Sequence, residues 1–209
     1  MTITRSVDAF ELNASAAWSR RVRKVGGFIQ LAFAAFWLVR GGLSIGGTVG
    51  TMLAVAGLVV SLAALVYAIR VSAGTGHRPT GREAKRIERS LTAATLIELI
   101  ASFAFPFIVI RTGHSDWVLP SIAITIGPLL LWLDHLVDIP RLRPVGWALT
   151  VGPFIVVAVL SGSALAATTG LAAGVLLLGT ATAGFHDLAS LRAHRASNTV
   201  GHNPRRTNA

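Results

Sequence analysis

Six long apolar runs constrain this chain more than any other feature of its sequence. A hydrocarbon core about 30 Å thick is crossed by a helix of about 20 apolar residues, with about 17 to 25 tolerated. The runs read as Val25 to Val39, Ser44 to Ile69, Leu91 to Ile110, Trp117 to Leu133, Val145 to Ala164 and Thr168 to Phe185. The first is short, so it is expected to begin inside the basic cluster Arg20 to Lys24, whose stems can lie along the interface while their charges reach water. The last two are joined by a small-residue link near Ala166 and Ala167, which predicts a tight hairpin. At 53% hydrophobic and 13% charged residues, the chain has about half the charge of a soluble domain. That balance excludes a disordered tail, a coiled coil and a soluble nucleic-acid module. Continuous runs without alternation exclude a transmembrane barrel. The expected fold is all-α, a polytopic membrane bundle of six transmembrane helices.

Orientation follows from the basic residues, because Lys and Arg gather in cytoplasmic loops. Of 19 Lys and Arg, 17 fall in the N-terminal segment, the loops after spans two and four, and the tail. Only Arg40 and Arg111 lie on the opposite side. Both termini are therefore expected to be cytoplasmic, and the net charge of +10 reads as topology rather than as a nucleic-acid surface. Trp prefers the headgroup level. Trp37 and Trp117 fall at the expected outer face and Trp18, Trp132 and Trp147 at the inner one.

Three regions result: a cytoplasmic amphipathic and basic segment over 1–24, a transmembrane domain over 25–185, and a partly disordered cytoplasmic tail over 186–209. Val7, Phe10, Ala14, Trp18 and Val22 recur near helical spacing in the first, as a helix lying in the interface requires. No small-residue cleavage pattern follows the first apolar run, so it is read as retained rather than as a signal peptide. Thr80 and Glu83 form a capping box for a basic helix leading into span three. With no cysteine, disulfides and thiolate metal sites are excluded.

Gly42, Gly46, Gly50 and Ala54 recur every four residues in span two, and Ala166, Gly170 and Gly174 do so near span six. In lipid, helices associate by close approach through such small-residue faces. The expected role is packing within the chain, with a homo-oligomer face as the alternative. Pro106, Pro120, Pro128 and Pro153 interrupt spans three to five, and Gly127 with Pro128 and Gly152 with Pro153 mark expected kinks.

One ionisable residue falls well inside a span. Glu98 lies about 12 Å from the cytoplasmic start of span three, and a carboxylate at that depth is costly and marks substrate or proton paths by default. Thr95, Glu98 and Ser102 fall within roughly 60° of one another on a helix, forming a polar intramembrane stripe. Hydroxyls at Thr125, Thr180 or Ser61 are its expected hydrogen-bond partners. A second constellation, Asp134, His135 and Asp138, ends span four. Carboxylates at i and i+4 share a face and suit a cation or a proton relay, but Arg141 and Arg143 favour an interfacial salt-bridge cluster instead. On the outer side, Ser115 or Asp116 is the natural N-cap of span four.

The stretch Trp117-x2-Pro120-x2-Ala123-x3-Gly127 resembles one in small uncharacterised bacterial inner-membrane proteins with six spans. The resemblance covers about a tenth of the chain. It implies a multi-pass location in the bacterial plasma membrane and no activity.

No motif carries a recognisable enzymatic chemistry, and no cofactor, metal or nucleic-acid partner is expected. The sequence points to an integral membrane protein embedded in lipid. Its first functional reading is a small transporter-like or proton-coupled permease using Glu98. A non-catalytic scaffold or accessory subunit is the alternative.

Overall fold

The computed structural model describes residues 3–73, 82–137, 139 and 141–201, with side chains placed at 24–73 and at most positions between 89 and 190. Six α-helices follow one another: α1 (Ile3–Ile45), α2 (Gly47–Ser72), α3 (Arg82–Arg111), α4 (Val118–Val137), α5 (Leu142–Val159) and α6 (Gly162–Gly201). A single 3₁₀ turn, Ser115–Trp117, precedes α4. No strand occurs among the described residues. Each apolar run of the sequence lies mainly in one helix. Five of the helices contain stretches long and apolar enough to cross a membrane: Lys24–Ile45, Gly47–Ser72, Ser115–His135, Leu142–Val159 and Gly162–Ser190. The sixth, α3, carries the apolar run that follows Leu91.

The helix ends differ from the hydropathy reading where glycine intervenes. The first hairpin turns at Gly46 and Gly47, both with positive φ (75° and 62°), a conformation that costs glycine little and other residues more. Ser44 and Ile45 therefore end α1 instead of opening α2. The link between α5 and α6 lies at Leu160 and Ser161, ahead of Gly162 with φ 58°. Ala166 and Ala167, expected in that link, are inside α6. Hydropathy runs straight through both breaks, because nothing in an apolar average registers the sign of φ. The N-terminal segment and the first span form one continuous helix, with the residue-24 boundary inside it. Pro106, Pro128 and Pro153 all sit within continuous helices.

Helices α1 and α6 form the central pair, and two cores lie on either side of them. One joins Ala34 and Trp37 to Leu119, Ala123, Ile126 and Leu130 of α4, Leu142, Val145 and Leu149 of α5, and Ala173 and Leu177 of α6. The other joins Leu31 to Ala64 and Ala68 of α2 and to Ala181, Phe185 and Leu188 of α6. None of the described α3 side chains enters either core; the helix packs chiefly on α4 and the 3₁₀ turn.

The distribution of residue size across α2 is the reverse of a soluble protein's. Its buried positions are Gly50, Ala54, Ser61, Ala64, Ala68 and Ser72, all small. Its large apolar side chains point outward, Val49 at 63% and Met52 at 65% exposure, with Val55, Val59, Leu62, Val66 and Ile69 beside them. Small residues inside and large ones outside suit a helix that meets its neighbours by backbone and faces hydrocarbon with its side chains. A multi-pass membrane protein is consistent with this pattern.

Small residues also set the helix spacings. A Cβ added at Gly170 would stand 2.6 Å from the Gly41 Cα, and one at Gly174 2.6 Å from Leu38 Cγ. Across the first hairpin, a Cβ at Gly42 would meet the Ala54 amide nitrogen at 2.6 Å, and one at Gly50 the Gly42 carbonyl oxygen at 2.6 Å. The four-residue stripe thus straddles a turn: Gly42 belongs to α1, Gly50 and Ala54 to α2, and Gly46 is the turn residue, with open space where its Cβ would be. Gly42, Gly50, Gly170 and Gly174 all meet atoms of their own chain, so a homo-oligomer built on them would have to displace those helices. Gly127, expected with Pro128 to mark a kink, seats α4 on α5, where a Cβ would collide with the Thr150 hydroxyl and the Gly146 carbonyl.

Candidate functional site

Helix α3 presents one seam to α4. Glu98, Ala101, Ser102, Pro106 and Val109 are buried or half-buried, while Ile97, Ile100, Phe103 and Phe107 between them are exposed. The first group recurs at three and four residues, one face of an α-helix. Ser102 Oγ lies 3.0 Å from Thr125 Oγ1 of α4. Thr125 donates its own proton to the Ile122 carbonyl at 2.7 Å, so Ser102 is the donor between the two hydroxyls. Pro106 adds a further acceptor. It has no N–H, and the Ser102 carbonyl lacks its usual donor four residues on.

Glu98 sits one helical turn from Ser102 on this seam and is half-buried. It makes no hydrogen bond or ion pair among the described residues. Each hydroxyl expected beside it is engaged elsewhere: Thr125 with Ser102 and Ile122, Thr180 with the Leu176 carbonyl at 2.7 Å, and Ser61 with the Gly57 carbonyl at 2.8 Å. The last two follow the usual habit of Ser and Thr in apolar helices, returning the proton to the preceding turn. The Thr95 side chain lies outside the described residues. Of the expected stripe, Ser102 meets Thr125 of α4, while Glu98 lies one turn away on α3 with no hydrogen bond to either; Thr125, expected as a partner of Glu98, pairs with Ser102.

The second constellation separates. Asp134 is buried, at 4% exposure, and its Oδ2 accepts a hydrogen bond from Arg143 Nε at 3.0 Å. Its Oδ1 has no partner among the described residues. His135 is exposed, as the 100° step to the next helix position requires. Asp138 lies outside the described residues. Among the described residues no three His, Cys, Asp or Glu side chains come together as a metal site. The salt-bridge reading is the arrangement seen for Asp134, with Arg141 turned to a different carboxylate. Arg141 reaches Asp187 of α6, Nη1 to Oδ2 at 2.8 Å and Nη2 to Oδ1 at 3.1 Å. Two parallel contacts make this a bidentate pair.

That pair borders a cleft which sequence reasoning missed. Gly26, Gly27 and Gln30 of α1, Leu133 and Ile139, Arg141 and Leu142, and Thr180, Ala181, Gly184 and Asp187 of α6 enclose about 50 Å³, room for a few waters. The signal for it is spread over three distant segments, of which sequence reasoning singles out Arg141 and Thr180, each for a different role.

On the opposite side of the bundle, the 3₁₀ turn carries Asp116, whose Oδ2 accepts the Gly162 N–H at 3.2 Å. The carboxylate expected to cap span four instead serves the first residue of α6, where the unpaired amides of a helix start favour an acceptor. Trp37, expected at the wet outer interface, is fully buried in the core with its indole N–H unpartnered.

Comparison of the chain with protein-family models, curated proteins and solved structures finds no match.

Proposed function

We propose that this chain is a six-span protein of the bacterial plasma membrane, with both termini cytoplasmic, that acts as a small proton-coupled permease along the α3–α4 seam. The topology rests on the division of Lys and Arg, 17 to one side and two to the other. The activity rests on one observation: Glu98 is half-buried in an apolar helix without a partner among the described residues, one turn from the Ser102–Thr125 hydroxyl pair. An ionisable group at such a position is retained where water or a transported species meets it. Hydroxyls alongside supply sites between which a proton can be passed.

The test uses the absence of native cysteine. A single Cys replaces Ser102 in membrane vesicles of defined orientation, with Thr112→Cys in the exposed outer turn as a labelling control. A membrane-impermeant maleimide is expected to label S102C from one face only, and proton uptake by proteoliposomes is expected to be lost in Glu98→Gln. If S102C stays unlabelled from both faces while T112C reacts, the seam is dry and the permease reading falls. The accessory-subunit reading would then take its place, favoured by the outward row Ile97, Ile100, Phe103 and Phe107 on a helix held chiefly by α4.

A further inference from the structure

We propose that the cleft between α1, the α4–α5 link and α6 is a vestibule, mostly apolar in its wall and polar at its rim, that admits water and small neutral solutes, and that the Arg141–Asp187 pair is the latch across its mouth. This goes beyond the Glu98 reading, since the cleft is built on the central helix pair and not on α3.

Three observations carry it. The first is the latch itself. Arg141 and Asp187 are 46 residues apart and tie the α4–α5 link to α6. Both border the cleft, and both keep partial contact with solvent, their side chains being 49% and 35% exposed. The pair is thus at the rim, where water can compete for it. No other side-chain hydrogen bond or ion pair between described residues joins that link to α6.

The second is the lining. Gln30 projects from α1 at the cleft wall, half-buried, and makes no hydrogen bond among the described residues. Its amide offers two donors and an acceptor. Thr180 gives its proton to the Leu176 carbonyl and leaves its lone pairs for a guest. Most of the remaining wall is apolar, from Leu133, Ile139, Leu142 and Ala181, so these few polar groups suit water or a small neutral solute better than a bare ion.

The third is the pattern of glycines. Gly41, Gly42, Gly50, Gly127, Gly146, Gly170 and Gly174 are explained by a neighbour that a Cβ would strike. Gly26 and Gly184 are not: a Cβ at either would meet nothing within 4 Å, and neither has a positive φ. Glycine inside a helix is unfavourable relative to alanine. At the cleft its effect is to leave space open on two facing helices. Gly152 and Gly179 are equally unobstructed but do not border the cleft.

The openness at Gly184 also supplies the probe, because a Cβ there meets nothing within 4 Å. Gly184→Cys is combined with Asp187→Asn, with Arg141→Gln and with the exchanged pair R141D/D187R. Its reaction rate with a small, water-soluble, impermeant methanethiosulfonate is then measured in purified, monodisperse protein. His186→Cys, at an exposed position, controls for reagent access. Either single neutral substitution is expected to raise the rate about threefold, the scale on which a partly exposed pair biases an equilibrium, and the exchanged pair to return it towards the parent value. High salt should act in the same direction as the single substitutions. Equal rates in all backgrounds would overturn the latch. No reaction at G184C in any background, with H186C reactive, would overturn the vestibule. Neither outcome depends on the S102C result, so the two readings fail separately.

Discussion

Helices α1 and α6 meet backbone to backbone, whereas the contact described between α3 and α4 is a pair of side-chain hydroxyls. The first contact is set by Gly41 against Gly170 and Leu38 against Gly174, and both helices enter both cores. Helix α3 has no glycine anywhere between Arg82 and Arg111, brings none of its described side chains into either core, and leaves Phe103 at 72% exposure. Where hydrocarbon surrounds the helices, burying a large apolar side chain gives little advantage, and close packing comes from what the residues lack. The central pair is the rigid part of the bundle by this measure. Among the described residues, the polar contact across the α3–α4 seam is one hydroxyl pair.

The sharpest way to break this contrast is to restore side chains at the glycine contacts. Gly170→Leu forces a branched side chain against the Gly41 backbone and is expected to cost about 3 kcal/mol or more, seen as loss of monodisperse protein or a collapsed thermal midpoint in detergent. An unaffected midpoint would mean that α1 and α6 are not held this closely. Next in size is Arg143→Gln, which strips the partner from the buried Asp134 carboxylate. Because Arg143 is itself well exposed, about 1–2 kcal/mol is expected, below the range for a fully buried pair. Asp134→Asn combined with R143Q should recover part of that loss in the same melting experiment.

Asp116→Ala removes the acceptor at the start of α6 and is expected to cost about 1 kcal/mol, as helix caps do; the fraying should appear as faster amide exchange at the beginning of α6. Phe103→Ala is expected to change stability by less than about 0.5 kcal/mol in detergent, the range for exposed positions. A large loss there would reveal a contact on α3 that a lone chain does not make, and would turn the comparison on its head.

The number and approximate place of the helices were legible, because continuous apolar length is a property of local sequence. The hairpin ends were not. Gly46, Gly47 and Gly162 set them through backbone sign, and the same glycines look from the sequence like members of a packing stripe or of none. The small-residue spacing of Gly42, Gly50 and Ala54 pointed correctly to close approach, yet it could not say that the approach runs across a turn between two helices. For Glu98, depth in the helix was readable and its surroundings were not, since a face is known from periodicity but its neighbour only from tertiary structure. Arg141 shows the same limit. Two carboxylates were in reach of an interfacial arginine by sequence, and the partner it takes lies 46 residues away.

The length of α1 has a mechanical consequence. A helix of 43 residues is about 65 Å long at 1.5 Å per residue, roughly twice the hydrocarbon thickness. Its far half is one stiff rod with the half that carries Leu38 and Gly41, and those residues are clamped to α6. A torque applied to the chain near Ile3 would therefore be carried along the same helix to its backbone contact with α6.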